Sequence, residues 1–444
     1  MIFSNYNQIA TSQARRKLLT LINKAWRSVQ PKYFIPQAVK LRSGKLRVEN
    51  KSFLLGRKRI FVIGAGKVAA EMAWEIERIL GVERITAGMV ITKKAGVHLK
   101  KIKVHLANHP LPSSRGWKGA QTIFNLKKKY AIGKDDLIIA LISGGGSALM
   151  PHPVAGVSLK DKKKLYDLFI KYGVSGFEST IVKTKISNVK GGGLAKHFYP
   201  TPVISLILSD DNGQSGHEFT SSGPLTNHPS TVADALGVID KYNMRGEAPK
   251  SIITYLEKNK KNKITRPTVH VNQFILASNR SLVEAISRLA RKEGWLVKTK
   301  FDVAGEASEV AREFCGQIVK DKLKKPTLLV CGGETTVQLP KKHGLGGRNQ
   351  EFVAVALHYL KNRTTSRPWA LASVATDGVD YIPQSAGGII GSDSYAALEK
   401  SKINLTKIFK THNSHYLLKN INANIAVLNS TGTNVGDLML YLQL

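Results

Sequence analysis

The chain reads as an α/β protein, with a doubly wound parallel sheet in its first half and a second α/β domain in its second. Two observations predict this. Short apolar runs recur without the polar alternation of a half-exposed strand, as in strands covered on both faces, and they alternate with segments of helical period. Several of these runs also stop at a polar, glycine-bearing turn, where open α/β sheets present their ligand sites. Residues 137–150 show this most clearly, reading LIIALISGGGSALM. Six apolar residues from Leu137 to Ile142 lead into Ser143, Gly144, Gly145, Gly146 and Ser147. Successive glycines let a backbone approach a ligand closely, and their amides can cradle an anion where a helix begins. Taken alone, the same turn needs no ligand.

In chain order, residues 8–30 place apolar side chains at helical spacing, and Pro31 and Pro36 are expected to end that helix. Strand 60–63 runs into Gly64-Ala65-Gly66-Lys67 and a helix over 68–80. A strand at 88–92 follows, then the proline-stiffened loop 108–112 and a helix to 129 capped by Ser114. Ser158 is the expected cap of a helix over 161–172, and strand 202–208 ends at Ser209-Asp210-Asp211. The basic, proline-bearing stretch 243–266 looks like an inter-domain helix and linker. Strands at 269–276, 295–300, 327–331 and 371–375 then alternate with helices at 280–294, 308–323 and 350–360. The expected division is 1–245, a linker at 246–268, and 269–444.

Composition narrows the function classes. The 444 residues suffice for two or three domains, and 42% hydrophobic content fits a globular protein. Two cysteines, Cys315 and Cys331, cannot form a disulfide scaffold and fit a reducing interior. No apolar run reaches the ~18 residues of a membrane span. Arg15, Arg16 and Lys17 interrupt any signal-peptide core, so a cytoplasmic location is expected. The net charge of +36 is spread over helix faces and loops with few interleaved aromatics. It reads as a solvated basic surface, with no specific nucleic-acid or membrane partner.

The turns carry the chemistry. Gly64 to Ala69 fits the pattern GxGxxA at a strand-to-helix junction, so the first domain is Rossmann-like. The acid expected at the end of the next strand is missing, since that position reads Ile91-Thr92-Lys93-Lys94. What remains is Lys67 at a helix start, suited to a phosphate or developing negative charge. Asp210, just past a strand end, suits a general base or a magnesium ligand, or forms a plain Asx turn. Lys190 sits in a glycine-rich turn, Glu334 in Gly332-Gly333-Glu334, and Arg348 with Asn349 at the start of a helix, where a guanidinium can clamp a phosphate or carboxylate. Asp377 and Asp380 close another strand. No Ser-His-Asp, HExxH or CxxC pattern occurs.

Together VIGAGKVAAEM, ANHPLPSSRG, LISGGGSALM, SNVKGGGLA, SSGPLT, CGGETTV, GLGGRNQEF, TDGVD and STGTNVGDL resemble the class II glycerate kinase family. Its members combine a glycerate kinase N-terminal domain with a MOFRL domain. The resemblance implies an active site in the cleft between the domains and ATP-dependent phosphorylation of D-glycerate to 2-phosphoglycerate with Mg²⁺. Carried over by position, Lys67, Asp210 and Arg348 would be catalytic. Gly144, Gly145, Gly146, Ser147, Lys190, Glu334 and Asn349 would hold substrate or phosphate, and Asp210 and Asp377 the metal. Glycerate and ATP are then the small-molecule partners, and a homodimer is compatible with the pattern. Gln214 and Gln384 stand where the family usually places carboxylates, which weakens cation binding at those points. Two other readings stay open: an NAD(P)-dependent hydroxypyruvate reductase, suggested by GxGxxA, and a basic nucleic-acid-binding protein, for which only charge speaks.

Overall fold

Strands Ile60–Ala65 (β1), Ile85–Thr92 (β2), Ile102–Leu106 (β3), Leu137–Ser143 (β4), Val203–Leu208 (β5) and Val271–Ala277 (β6) form one six-stranded sheet in the order β3-β2-β1-β4-β5-β6. β1, β4 and β5 are buried at every position, which is why their sequences carry no alternation. The pairs from β3 through β5 are parallel, and Ala65 of β1 lies in register with Ile142 of β4. The strand order reverses between β1 and β4, so their turns leave the sheet side by side. In the computed structural model, residues 1–94, 96–210, 220–261, 271–321, 323, 325–363, 367–427 and 431–444 are described. Gln214, most of the Ser209–Gly213 turn and the beginning of the expected strand at 269 lie outside them.

The chain divides into two compact units, and neither is a continuous stretch. The first comprises Pro31–Ser209 and Ser215–Leu276. Phe61, Ile63, Ile138, Ile142 and Leu149 form its core with Ile123 of helix Ser114–Lys129 and with Leu194 and Phe198. A second apolar cluster joins four helices, Leu159–Lys171, Gly176–Lys185, Val232–Lys241 and Lys250–Asn259, through Leu165, Phe169, Val182, Ile239, Ile252 and Leu256. The last helix corrects the linker reading over 246–261; 262–268 lie outside the described residues. Its basic outer face hides Ile252 and Leu256, one turn apart and both fully buried. β6 likewise belongs to this sheet instead of opening the second domain. A three-stranded antiparallel sheet, Val39–Arg42, Lys45–Val48 and Lys51–Leu54, was not expected, because its strands are only four residues each.

The second unit comprises Met1–Gln30, Asp210–Gln214 and Ala277–Leu444. Its sheet is mixed: Leu296–Glu306 (β7), Thr327–Thr336 (β8), Trp369–Ala375 (β9), Gly387–Gly391 (β10), Asn424–Ile425 (β11) and Asp437–Gln443 (β12) lie in the order β7-β8-β12-β9-β10-β11. Only β7 and β8 pair in parallel. The opening helix, Gln13–Trp26, is capped by Ser12 and belongs to this unit, so the domain 1–245 is not the unit that forms. Its Arg15, 1% exposed, pairs with Asp393 at 3.2 Å and donates to Ser394 Oγ and the Asn422 carbonyl. Pro31 does not end a helix here; it begins a new one, Pro31–Ala38, where its missing N–H costs nothing.

Candidate functional site

In the first unit the site is built where β1 and β4 end. The Lys67 amide donates to the Gly144 carbonyl at 2.8 Å and the Val68 amide to Ser143 Oγ at 3.2 Å, so the two turns brace each other. Lys67, half-buried, stands two residues before the start of helix Ala69–Leu80. Gly66 is needed here: a Cβ would lie 2.0 Å from Ser143 Oγ, and its φ is +148°. A Cβ on Gly146 would come within 2.4 Å of Ser221 Oγ. Ser221 donates to the Ser143 carbonyl at 2.7 Å, and Ser222 bonds Ser147 Oγ at 3.2 Å. Both serines have left-handed backbones, at φ +56° and +61°. They brace the glycine-rich turn, a part the motif SSGPLT contained but that residue-by-residue reading passed over.

Gly145, at φ +85°, faces the His109 ring and the Lys67 side chain. Beside it lies a cavity of about 330 Å³ whose lining includes His109, Gly145, Ser147, Tyr166, Ser179 and Lys183. Lys190 is fully buried near this layer, and burial, followed by repulsion from Lys162 and Lys183, holds its ammonium well below the ordinary lysine range. Thr92, where a dinucleotide site would carry an acid, is buried and donates to the Lys67 carbonyl at 3.3 Å.

In the second unit Arg348 opens helix Arg348–Leu360. Its guanidinium forks onto Asp437, with Nε and Nη2 at 2.5 and 3.0 Å from the two carboxylate oxygens, and reaches Glu334 at 3.0 Å. Burial opposes its charge, but Asp437 and Glu334 more than offset that, so it stays a cation. Asp437 is fully buried, and the sequence reading, which quoted its motif, assigned it no role. Asp380 caps the same helix, accepting from the Asn349 and Gln350 amides at 3.1 and 2.9 Å. Asn349 is buried with its amide engaged at both ends, donating to Asp380 and accepting from Ser373 Oγ at 2.6 Å. These bonds tie it to the Asp380 cap.

Asp210 accepts from Asn434 Nδ2 at 3.1 Å. The adjacent Val435 amide donates to Thr376 Oγ1 at 2.8 Å, and Asp377 accepts from the Val379 amide at 3.0 Å. The turn at 434–436 thus carries Asp210 and the Thr376-Asp377 corner together. Among the described residues no three histidine, cysteine or acidic side chains converge as a metal cage. Gln384 is exposed, with its carbonyl accepting from Asn424.

Comparison with known proteins fits this architecture. Residues 17–257 match DUF4147, a domain of unknown function, and residues 327–437 match the MOFRL family. The first match ends inside helix Lys250–Asn259, beyond the expected boundary at 245. The glycerate 2-kinase of Pyrococcus horikoshii is 34% identical over 438 residues, covering 95% of this chain and 96% of that protein. The chain belongs to the glycerate 2-kinase family. A crystal structure of the glycerate kinase from Thermotoga maritima superposes with a TM-score of 0.78 at 28% identity, covering 97% of this chain and 99% of that one. Another relative, 32% identical over 86% of this chain and 99% of its own length, is named a putative hydroxypyruvate reductase in Agrobacterium vitis. Members of one family therefore carry both names.

Proposed function

We infer that this protein is a glycerate 2-kinase, transferring the γ-phosphoryl group of ATP to D-glycerate and giving 2-phosphoglycerate. The full-length match to the Pyrococcus horikoshii glycerate 2-kinase carries this reading. The reductase reading is disfavoured by Thr92, an internally bonded residue at the position that would bind a nicotinamide dinucleotide's ribose.

The residues present fit a triphosphate. Gly66 and Gly146 let the two turns close onto Ser143 and Ser221, and Lys67 adds a cation beside backbone amides at a helix start. For Mg²⁺, which usually keeps water and phosphate ligands and takes one or two carboxylates, Asp210 and Asp377 are the candidate protein ligands. When bound, Mg²⁺ would offset charge on the phosphate oxygens. Phosphoryl transfer otherwise asks the protein for positioning and for charge at the transferring group. Lys67, fixed by its backbone bond to Gly144, supplies positive charge to that group. Arg348 supplies a permanently charged guanidinium whose direction Asp437 and Glu334 fix. Asp210, steered by Asn434, orients the acceptor hydroxyl and takes its proton. The cytoplasm, which supplies ATP and keeps thiols reduced, fits the buried free Cys315 and Cys331.

The test is direct. Purified protein with ATP, Mg²⁺ and D-glycerate should release ADP, and phosphorus NMR should find the phosphate on the 2-hydroxyl. ADP formation unaffected by omitting glycerate, or phosphate found on the 3-hydroxyl, would contradict the assignment.

A further inference from the structure

Three lysines meet inside the helical layer of the first unit without an acid. Lys162, on helix Leu159–Lys171, is fully buried and donates only to the Ile186 carbonyl, at 3.3 Å. Lys183, on helix Gly176–Lys185, donates to Ser179 Oγ at 2.8 Å and lies 4.9 Å from the Tyr166 ring centroid. Lys162 lies 5.9 Å from the same ring. Lys190 is fully buried, and its ammonium has no hydrogen-bond partner. Among the described residues no ion pair includes any of the three.

Buried ammonium groups without a counter-charge are costly, and an apolar side chain would pack the same space at no such cost. Packing therefore does not explain three of them together, two over the Tyr166 ring and Lys190 close enough to feel both. The cavity of about 330 Å³ supplies a reason, because Lys183 and Tyr166 line it beside Ser147 and Gly145. The Tyr166 hydroxyl is buried as well, with the Ser147 hydroxyl as its neighbour. Lys183 lines this cavity and Lys162 and Lys190 stand behind it, so that positive charge without a counter-ion gathers at one wall, as in a receptor for an oxyanion.

We propose that Lys162, Lys183 and Lys190, with the Tyr166 and Ser147 hydroxyls, form a site for a small oxyanion, either the carboxylate of the hydroxy-acid acceptor or a phosphate. The choice between these probes rests on the kinase reading above; the site itself does not. Without an anion, burial and then repulsion from Lys183 push Lys162 down to about 7, burial pushes Lys183 down to about 8, and burial with repulsion from both holds Lys190 well below the ordinary lysine range. An arriving anion restores their protons, so binding should take protons up from solution. The groups facing the cluster are the lysines themselves, Tyr166, and the histidines His152 and His109. Asp161 and Glu178, on the same helices, are turned to Ser251 and Lys241.

The experiment is titration calorimetry in two buffers of different ionisation enthalpy. The probes are inorganic phosphate, D-glycerate and a non-hydrolysable ATP analogue, and the proteins are wild type, Lys190→Met and Lys183→Gln. At least one probe should bind wild type with proton uptake. Lys190→Met should weaken that probe by about tenfold or more and reduce the uptake, as loss of a buried charge partner does. Loss confined to glycerate identifies the carboxylate; loss of inorganic phosphate or of the analogue identifies a phosphate. Lys190→Met replaces an unpartnered buried amine by an apolar side chain of similar length, so its melting temperature should hold or rise, which keeps the binding result interpretable. Unchanged affinity for every probe in both variants, no proton uptake on binding, or no probe bound by wild type would overturn the site. Scoring ADP formation by wild type in parallel separates the two failures. An enzyme that makes ADP while the variants bind normally refutes the site and leaves the kinase standing.

Discussion

Lys67 differs from an ordinary surface lysine because its backbone is tied to the triple-glycine turn, so its place does not depend on a flexible stem alone. Lys67→Ala should lower kcat roughly 10²–10⁴-fold, the range for one electrostatic contact at the reacting group, with a much smaller change in KM for glycerate. Asp210→Asn keeps size and the Asn434 contact but removes the base, so kcat should fall while ATP affinity is retained. Arg348→Ala is a mixed test, because it also strands the buried Asp437 carboxylate; about 3–5 kcal/mol of stability should go with the activity, read by denaturant melts. Glu351 gives a pH signature. Burial first, and then the Glu306 carboxylate, raise it from 4.5 to about 7. The folded state therefore holds this proton more tightly than the unfolded chain. The resulting stability is full below pH 4.5 and is lost as pH rises towards 7. Glu351→Gln should stabilise the protein by at most about 3 kcal/mol above pH 7, and not at all below 4.5, in melts across that range.

At the scale of elements, legibility followed the physics of each segment. β1, β4 and β5 are buried on both faces, so their unbroken apolar runs were visible, and so were the turns that end them. Ser158 was found as a cap because capping is local chemistry: its hydroxyl accepts from the Asp161 amide at 3.0 Å. Gly387–Gly391 was missed because glycine carries little strand signal, although Ile389 and Ile390 are fully buried. The Lys162–Lys183–Lys190 cluster was only one-third legible, because lysines on separate elements converge only after the helices pack. The Gly66 turn provides the element-scale prediction. Gly66→Ala forces a Cβ onto Ser143 and should cost more than about 2 kcal/mol, with activity lost alongside. Gly133→Ala, with nothing within 4 Å, should stay within about 0.5 kcal/mol in the same melts.

At the scale of the whole molecule, the continuous domains 1–245 and 269–444 did not anticipate units that exchange segments. Amphipathic periodicity shows that 13–26 is a helix with a buried face; it does not say which core receives that face. The lysines and arginines behind the net charge of +36 are spread along the whole chain. Duplex DNA should accordingly bind only in the non-specific range of roughly 10⁻⁴–10⁻⁶ M at about 0.15 M salt, and nanomolar binding at that salt would reveal a dedicated nucleic-acid face. No helix among the described residues is long and apolar enough to cross a membrane. What the molecule does is decided most directly by one measurement, phosphorus NMR of the protein incubated with ATP, Mg²⁺ and D-glycerate, run beside the same incubation with NADH and hydroxypyruvate. The expected result is ADP and 2-phosphoglycerate in the first tube and unoxidised NADH in the second. Oxidation of NADH with no ADP formed would contradict the kinase and restore the reductase.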